Sequence, residues 1–235
     1  MFVAEVEAPR LSADDHHHLV RVLRLVPGSV VTVGDGEGRW RPARLTAGVE
    51  VEATGDVVAD ARPDPAITVA FALVKGERPE LAVQKLTEVG VDRIVPFTAE
   101  RGVVRWDGAK AERQVGRLTE IARQAAMQCR RTWLPQIEPV ASFAAVAGRE
   151  GATLADIEGE PPSLARPTVL VGPEGGWSAT ERASGLPLSR VGAHVYRAET
   201  AAIAVGALLT ALRSGLVIET ARGNTRSGVR AEFPS

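Results

Sequence analysis

The chain has 235 residues, of which 45% are hydrophobic, and its net charge is −1. This hydrophobic content can form a sizeable core, so an intrinsically disordered chain is excluded. The near-neutral charge gives no global sign of a nucleic-acid partner. The single cysteine, Cys129, excludes an intramolecular disulfide and is typical of a reducing compartment. No signal pattern and no apolar run of membrane-spanning length is present, so we expect a cytoplasmic protein without a membrane segment.

The charge is unevenly distributed along the chain. Residues 101–133 carry eight Lys and Arg against three Asp and Glu, whereas residues 1–65 carry seven Arg against eleven Asp and Glu. The basic stretch indicates an RNA-facing surface. A solvated helix face would explain it equally well.

The first 62 residues are typical of a small β-rich domain. Short strand-like runs alternate with Pro-Gly, Asp-Gly and Ala-Gly turn signals, and this spacing favours a small barrel. We predict a helix over Asp14–Leu25 with Ser12 as its N-cap. The predicted strands are Ser29–Val33, Trp40–Leu45 and Val49–Ala53.

The pattern changes after the linker Arg62-Pro63-Asp64-Pro65, whose prolines disfavour both helix and sheet pairing. Strands and helices then alternate, which predicts an α/β domain. We therefore divide the chain into domains at 1–65 and 66–219, with a disordered tail at 220–235. The predicted strands are Ile67–Val74, Arg93–Pro96, Thr153–Ala155, Thr168–Val171 and Arg190–Val195, and the helices are Glu80–Val89, Lys110–Met127 and Thr200–Ser214.

The segment Val169–Ser178, VLVGPEGGWS, has the pattern of a strand, a glycine turn and a helix start. Ser178 and Glu181 have the spacing of a capping box. Ligands of α/β sheets bind beyond the carboxyl ends of strands, where glycines allow close backbone approach. The fingerprints of dinucleotide, P-loop, hydrolase-elbow and zinc sites are missing from the sequence. Taken alone, the turn could therefore be purely structural.

A second segment, Val191–Ala201, runs from a predicted strand into the last helix. It places Arg197 and Glu199 beside a helix N-terminus. Glu199 or Thr200 could serve there simply as a helix cap.

Together these segments resemble the RsmE family, which methylates N3 of a uridine in 16S ribosomal RNA and belongs to the SPOUT superfamily. The resemblance covers nearly the whole chain, and GPEGG at 172–176 and RAETA at 197–201 are its most specific motifs. Supporting matches are HLVRVLR at 18–24, KG at 75–76, QKLTEVGV at 84–91, Glu100-Arg101, and QCRR at 128–131 before Pro135. The chain departs from the family pattern at Met127, usually Glu; Arg130, commonly Gly; His194, usually Arg; and Val191 and Tyr196, usually Leu.

The resemblance implies a PUA-like or OB-like β-barrel followed by a trefoil-knotted α/β methyltransferase domain. It also implies S-adenosylmethionine as cofactor, a homodimer with the site at the subunit interface, and the small ribosomal subunit as partner. The cofactor would lie against three loops, near Leu73–Gly76, Gly172–Gly176 and Val191–Ala201. The implied cofactor-binding residues are Leu73, Val171, Gly172, Pro173, Gly175, Gly176, Val191, Gly192, Val195, Tyr196, Thr200 and Ala201.

Methylation of N3 requires removal of its proton and stabilisation of the resulting anion. Arg197 is the candidate cation, and Glu199 and Glu174 are candidates for the base or for orienting Arg197. The RNA-binding candidates are His18, Arg21, Arg24, Arg101, Arg105, Arg130 and Arg131, with Arg21 and Arg24 expected on one helix face. Trp106 and Trp133 could stack on bases or pack in the core. No metal site is expected, because His16, His17 and His18 would point in different directions on a helix.

Two other functions remain open from the sequence. A SPOUT enzyme could methylate a ribose 2′-oxygen instead of N3. A ribosome-assembly factor could keep the cofactor fold without catalysing transfer.

Overall fold

The computed structural model describes residues 1–76 and 78–218. Its amino-terminal part is a four-stranded antiparallel sheet in which β2 pairs with β1 on one side and with β3 and β4 on the other. The elements are α1 Ala13–His17, a π-helical turn His18–Val22, β1 Val30–Gly34, β2 Arg39–Leu45, β3 Val51–Ala53 and β4 Val58–Ala59. Val6, Val33 and Leu45 lie in the core of this part.

The rest of the described chain forms a parallel seven-stranded sheet in the order β11-β9-β10-β5-β6-β7, with β8 also paired to β6. Its strands are β5 Thr68–Ala72, β6 Arg93–Thr98, β7 Gln136–Ile137, β8 Ala141–Ser142, β9 Ala152–Glu160, β10 Thr168–Val171 and β11 Leu188–Ser189. Its helices are α2 Arg78–Val89, α3 Gly108–Gln128, α4 Phe143–Ala147, α5 Ala179–Arg182 and α6 Ala198–Arg213.

Hydrophobic packing covers both faces of this sheet. Every residue of β5 and β10 is buried, as the near-continuous apolar runs of these strands predict. On one face α2, α3 and α6 contribute Leu86, Leu118 and Leu209 to the core. On the other face Phe97, Leu154 and Trp177 pack together. The α/β prediction is confirmed.

Two predicted elements differ from the structure: the first helix ends earlier than predicted, and the strand predicted at 190–195 is absent. The first helix stops at Val22, and Arg24 has a left-handed backbone with φ 55°, so Arg21 and Arg24 do not share a helix face. The predicted strand at 190–195 is an irregular segment, and the sheet keeps only Leu188–Ser189 there. Ser12 caps α1 as predicted. The tail predicted at 220–235 lies outside the described residues.

Polar contacts at the surface join the two sheets. The indole N–H of Trp133 donates to the Asp60 carbonyl at 3.1 Å, and Thr132 Oγ1 donates to the Asp60 carboxylate at 2.8 Å. The ring of Trp133 also covers Gly38, where a Cβ would lie only 2.5 Å from it. Trp133 is therefore an interdomain packing residue, and Trp106 packs against the core of the parallel sheet.

A second network anchors the sheet to the linker. Asp92 forms ion pairs with Arg131 and Arg213, and its carboxylate accepts the backbone N–H of Ile67 at 2.8 Å. Arg131 also donates to the carbonyls of Thr87 and Val91. Burial lowers the pKa of the Arg131 guanidinium.

The α3 helix ends in a Schellman arrangement with an arginine at its left-handed position. The Arg131 N–H bonds the Ala126 carbonyl at 2.9 Å, and Arg130 between them has φ 60°. Glycine is the usual residue at such a position because a Cβ is strained there. The departure of Arg130 from the family's common Gly is therefore a strained substitution.

We predict that Arg130→Gly raises the free energy of unfolding by roughly 0.5–1 kcal/mol, because it removes left-handed strain. Urea denaturation at unchanged m-value measures the gain. Arg130→Ala is the matched control, since it removes the guanidinium but keeps the Cβ, and it should give no gain. An equal gain in both variants would mean that the charge, and not the backbone, is the source of the instability.

Candidate functional site

The carboxyl end of β10 opens onto a cavity of about 360 Å³. Four parts of the chain line it: the part of β9 beyond its pairing with β10, the turn after β10, Arg182 of α5, and the irregular segment together with the first turn of α6. The lining comprises Ala155, Asp156, Ile157, Val171, Gly172, Pro173, Glu174, Gly176, Trp177, Arg182, Val191, Gly192, His194, Val195, Tyr196, Ala198 and Ala201.

The glycine turn is shaped by Trp177. A Cβ on Gly172 would lie 3.1 Å from the indole, and Gly176 has a left-handed φ of 69°. The indole N–H donates to the Ala155 carbonyl at 3.0 Å, and the ring stacks on Phe97. The tryptophan thus joins the turn after β10 to β9, and Gly172 leaves room for its ring.

A buried carboxylate fixes the far end of the turn. Ser178 and Glu181 form the predicted capping box at the start of α5. Glu181 is 3% exposed, and its second oxygen accepts the backbone N–H of Glu100 at 2.8 Å. Next to it, Arg101 donates to the Gly175 carbonyl at 3.2 Å. The segment after β6 therefore holds the turn in place.

The segment before α6 is open to solvent on its outer side. Val195 is 85% exposed, while the Tyr196 ring lies over Gly192, where a Cβ would be 2.3 Å from the phenol oxygen. Arg197 is exposed and occupies the N-cap position of α6. Glu199 lies in the first turn, so the alternative that Glu199 or Thr200 is the N-cap residue is wrong.

Three charged side chains meet beside the cavity. Arg78, the first residue of α2, forms an ion pair with Glu174 of the turn, and its Nε lies 3.7 Å from Oε1 of Glu199. The Glu199 side chain is 11% exposed. Its Oε2 is buried and has no hydrogen-bond partner among residues 1–76 and 78–218. A buried carboxylate oxygen without a partner carries an unmet hydrogen-bond requirement.

The opposite part of the cavity wall carries its own ion pairs. Arg182 on α5 bonds Asp156 and Glu158 of β9. The remaining wall is mainly apolar, with Val171, Val191 and Ala201 on it. The cavity thus combines an apolar surface with charged groups at its edges, as small-molecule sites do.

A larger groove of about 940 Å³ lies between α2 and α3. It is lined by Arg78, Gln84, Lys85, Arg117 and Gln124, among others. Lys85 pairs with Glu88, and Arg117 pairs with Glu80. The groove does not lie at a strand end, so we assign the smaller cavity as the candidate site on its position in the sheet.

Comparison with known proteins agrees with this geometry. Residues 62–210 match the model of the RNA methyltransferase domain, and residues 11–51 match that of the RNA methyltransferase PUA domain. The chain is 32% identical to ribosomal RNA small subunit methyltransferase E of Mycobacterium tuberculosis over 227 residues, covering 84% of each chain. This chain belongs to the RsmE family of RNA methyltransferases.

Other relatives have the same description. The family member from Synechocystis is 30% identical, covering 83% of this chain and 70% of its own. The solved structure of ribosomal RNA small subunit methyltransferase E from Neisseria gonorrhoeae, bound to S-adenosyl methionine, superposes with a TM-score of 0.72 at 28% identity. It covers 90% of this chain and 96% of its own.

Family membership lets the expected cofactor residues be compared with the cavity. Nine line it: Val171, Gly172, Pro173, Gly176, Val191, Gly192, Val195, Tyr196 and Ala201. Gly175 faces Arg101, Thr200 lies on the exposed side of α6, and Leu73 is buried with its N–H bonded to Phe97. The third wall is formed by 155–157 of β9 and not by the expected segment Leu73–Gly76. No motif in those β9 residues marked them beforehand.

The expected RNA-binding residues divide into two groups. Six have exposed side chains: His18, Arg21, Arg24, Arg101, Arg105 and Arg130. Arg131 must be corrected, because its guanidinium is 13% exposed and is bonded to Asp92 and to backbone carbonyls. Sequence reasoning missed three charged residues at the cavity, Arg78, Asp156 and Arg182. Arg78 follows the KG match, and only the fold brings it to Glu174 and Glu199.

Two features are absent from the described residues. Within 1–76 and 78–218, no group of three or more His, Cys, Asp or Glu side chains could hold a metal ion. In the same part of the chain, no helix is long and apolar enough to cross a membrane.

We predict that Glu181→Gln lowers the free energy of unfolding by about 2 kcal/mol, because the amide turns an N–H donor toward one of two backbone N–H donors. Urea denaturation measures the change. Glu112→Gln, an exposed position on α3, is the matched control and should have little effect. Equal stability of both variants would show that the Glu181 carboxylate does not hold the turn.

Proposed function

We propose that the protein transfers a methyl group from S-adenosylmethionine to N3 of a uridine in the 16S RNA of the small ribosomal subunit. The observation that carries this proposal is the cavity after β10, which the GPEGG turn lines and beside which Arg78 links Glu174 of this turn to Glu199 of the RAETA motif. The match to the RNA methyltransferase domain and the names of the relatives support the reaction class and the RNA.

The cavity suits S-adenosylmethionine in size and chemistry. Its volume of about 360 Å³ falls in the range of small-molecule sites. Val171, Val191 and Ala201 offer apolar surface for the adenine, and Gly172 and Gly176 allow close backbone approach. Asp156, Glu174 and Arg182 offer charged partners for the ribose and the amino acid part. When bound, the cofactor supplies an electrophilic methyl group on a positively charged sulfur.

The residues beside the cavity supply what N3 of uridine needs. The base must leave its stack to reach the site. Glu199 offers a buried, unshared Oε2 to the N3 proton among the described residues. The guanidinium of Arg197 stabilises the negative charge that develops on the uracil ring, and Arg78 holds Glu174 and Glu199.

The exposed cations supply RNA contacts. Arg101 lies against the glycine turn, and Arg105 follows it along the chain. In the amino-terminal domain, at 1–65, His18, Arg21 and Arg24 contact the phosphate backbone. Domain 66–219 carries out the transfer. The rather small net charge fits local positive patches better than a uniformly basic surface.

We further propose that the chain between β10 and α6 forms a trefoil knot and that the protein is a cytoplasmic homodimer. The family match supports the first point. The outer face of α6, with Ile203, Ala207 and Leu208 partly exposed, supports a dimer interface. A cytoplasmic location agrees with the single cysteine.

The direct test uses small subunits that lack the modification, with radiolabelled S-adenosylmethionine and mass spectrometry of the nucleosides. The expected product is N3-methyluridine, and primer extension locates it because a methyl on N3 blocks base pairing. A 2′-O-methylated nucleoside, or no transfer despite cofactor binding, would contradict the proposal.

We predict that Arg197→Ala lowers the methylation rate by about 100-fold or more, because the developing charge on the uracil loses its cation. Single-turnover assays on the same subunits measure the rate. Arg166→Ala is the matched control, since Arg166 is exposed and precedes β10 at the opposite edge of the sheet. A similar loss in both variants would point to general RNA attraction.

A further inference from the structure

Arg78 joins two carboxylates that lie on different segments of the site. Its Nη1 bonds Glu174 of the glycine turn, and its Nε lies 3.7 Å from Oε1 of Glu199 in the first turn of α6. We propose that Arg78 is a positioning residue for methyl transfer, which acts by fixing the orientation of the Glu199 carboxylate through its charge. This proposal rests on the proposed function.

The placement of Arg78 suits this role. It is the first residue of α2, which packs between α3 and α6, so its backbone is held by the helix core. Its side chain is 37% exposed, whereas that of Glu199 is 11% exposed. A guanidinium presents several donors in a fixed plane, so one group can orient two carboxylates at once.

The ion pair makes the two oxygens of Glu199 different. Oε1 faces Arg78, while Oε2 is buried without a hydrogen-bond partner among residues 1–76 and 78–218. An unsatisfied buried carboxylate oxygen is costly unless a donor reaches it. The N3–H of a uridine that enters the site is such a donor.

Methyl transfer forms one bond to the methyl carbon, breaks another and moves one proton. The N3 electron pair forms the new bond to the methyl carbon, and the bond from carbon to sulfur breaks with its electron pair staying on sulfur. The N3 proton passes to Oε2 of Glu199. Arg78 forms no bond to a reacting atom, and its effect comes entirely through the orientation of Glu199.

A neighbouring arginine provides a matched control. Arg117 also lines the groove between α2 and α3, and its Nε lies 3.3 Å from Glu80. Its side chain is 61% exposed. Arg117→Gln lowers the net positive charge by the same amount as Arg78→Gln. It breaks the ion pair with Glu80 and leaves the ion pairs of Glu174 and Glu199 in place.

The test is a double-mutant cycle in single-turnover methylation of unmodified small subunits, begun once the wild-type protein has given product. We expect Arg78→Gln to lower the rate about 100-fold in the wild-type background. In the Glu199→Gln background the same change should lower the rate less than about 3-fold, because the group it positions is gone. Arg78→Lys should recover part of the loss, and Arg117→Gln should stay within about 2-fold of the wild type.

Two further readouts separate positioning from folding and binding. The melting temperature should change little in Arg78→Gln, and the dissociation constant for S-adenosylmethionine should rise far less than the methylation rate falls. The difference in rate between Arg78→Gln and the wild type should shrink as the pH rises toward the pKa of uridine N3. At high pH the uracil ring has already lost its N3 proton to the solvent, so it needs no proton acceptor in the protein. Equal losses in both backgrounds, a deficit independent of pH, or an equal loss in Arg117→Gln would overturn the proposal. A wild-type protein that gives no product would instead contradict the proposed function.

Discussion

The burial of β10 on both faces, between β5 and β9, is the constraint on which the rest of the site depends. The strand is paired on both edges and covered on both sides, so the chain can leave it only at the carboxyl end, at Gly172. Parallel pairing requires that the neighbouring strands run the same way. The cavity therefore forms where β10 stops and β9 continues beyond it.

Fixed contacts then turn this strand end into a binding site. Trp177 joins the turn to β9, Glu181 joins it to the segment after β6, and Arg78 joins it to α6. Each contact links segments that are far apart in the sequence. These contacts with the rest of the parallel domain hold the glycine turn in one conformation. The conformational entropy of the turn is therefore lost on folding, and ligand binding does not have to order it.

The carboxylates of the site differ in how far their oxygens are paired with arginines. Arg182 binds two carboxylates of β9, and Arg78 binds one carboxylate and approaches another. Glu199 is left with a buried oxygen that no described group satisfies. Proteins rarely bury such an atom without a partner. Oε2 of Glu80 in the α2–α3 groove shares this feature, so the position of Glu199 beside the cavity after β10 is what marks it as the candidate proton acceptor.

The predictable part of the fold follows from simple periodicity. Buried apolar runs located β5, β6 and β10, and the helical stripe located α3, because burial in parallel sheets and helices leaves a strong local pattern. The Ser178–Glu181 spacing correctly indicated a capping box. Local patterns failed at 190–195, where valines at a strand-like spacing line a cavity instead of pairing in the sheet.

The site was less predictable than the fold, because only part of it depends on local sequence patterns. Glycines and the RAETA motif are local signals, so the turn and the segment before α6 were found. Arg78 and the β9 residues 155–157 act through contacts made across the sheet, and their sequences carry no comparable signal. Arg131 shows the reverse error, since a basic stretch suggested RNA contact but its guanidinium binds Asp92 within the fold.

The central claim is that the cavity after β10, and not the larger groove between α2 and α3, holds S-adenosylmethionine. A crystal structure with S-adenosylhomocysteine bound tests this most directly. We expect electron density for the ligand between residues 155–157, the turn at 172–176 and the segment 191–196. Density in the α2–α3 groove, with the cavity after β10 empty, would contradict it.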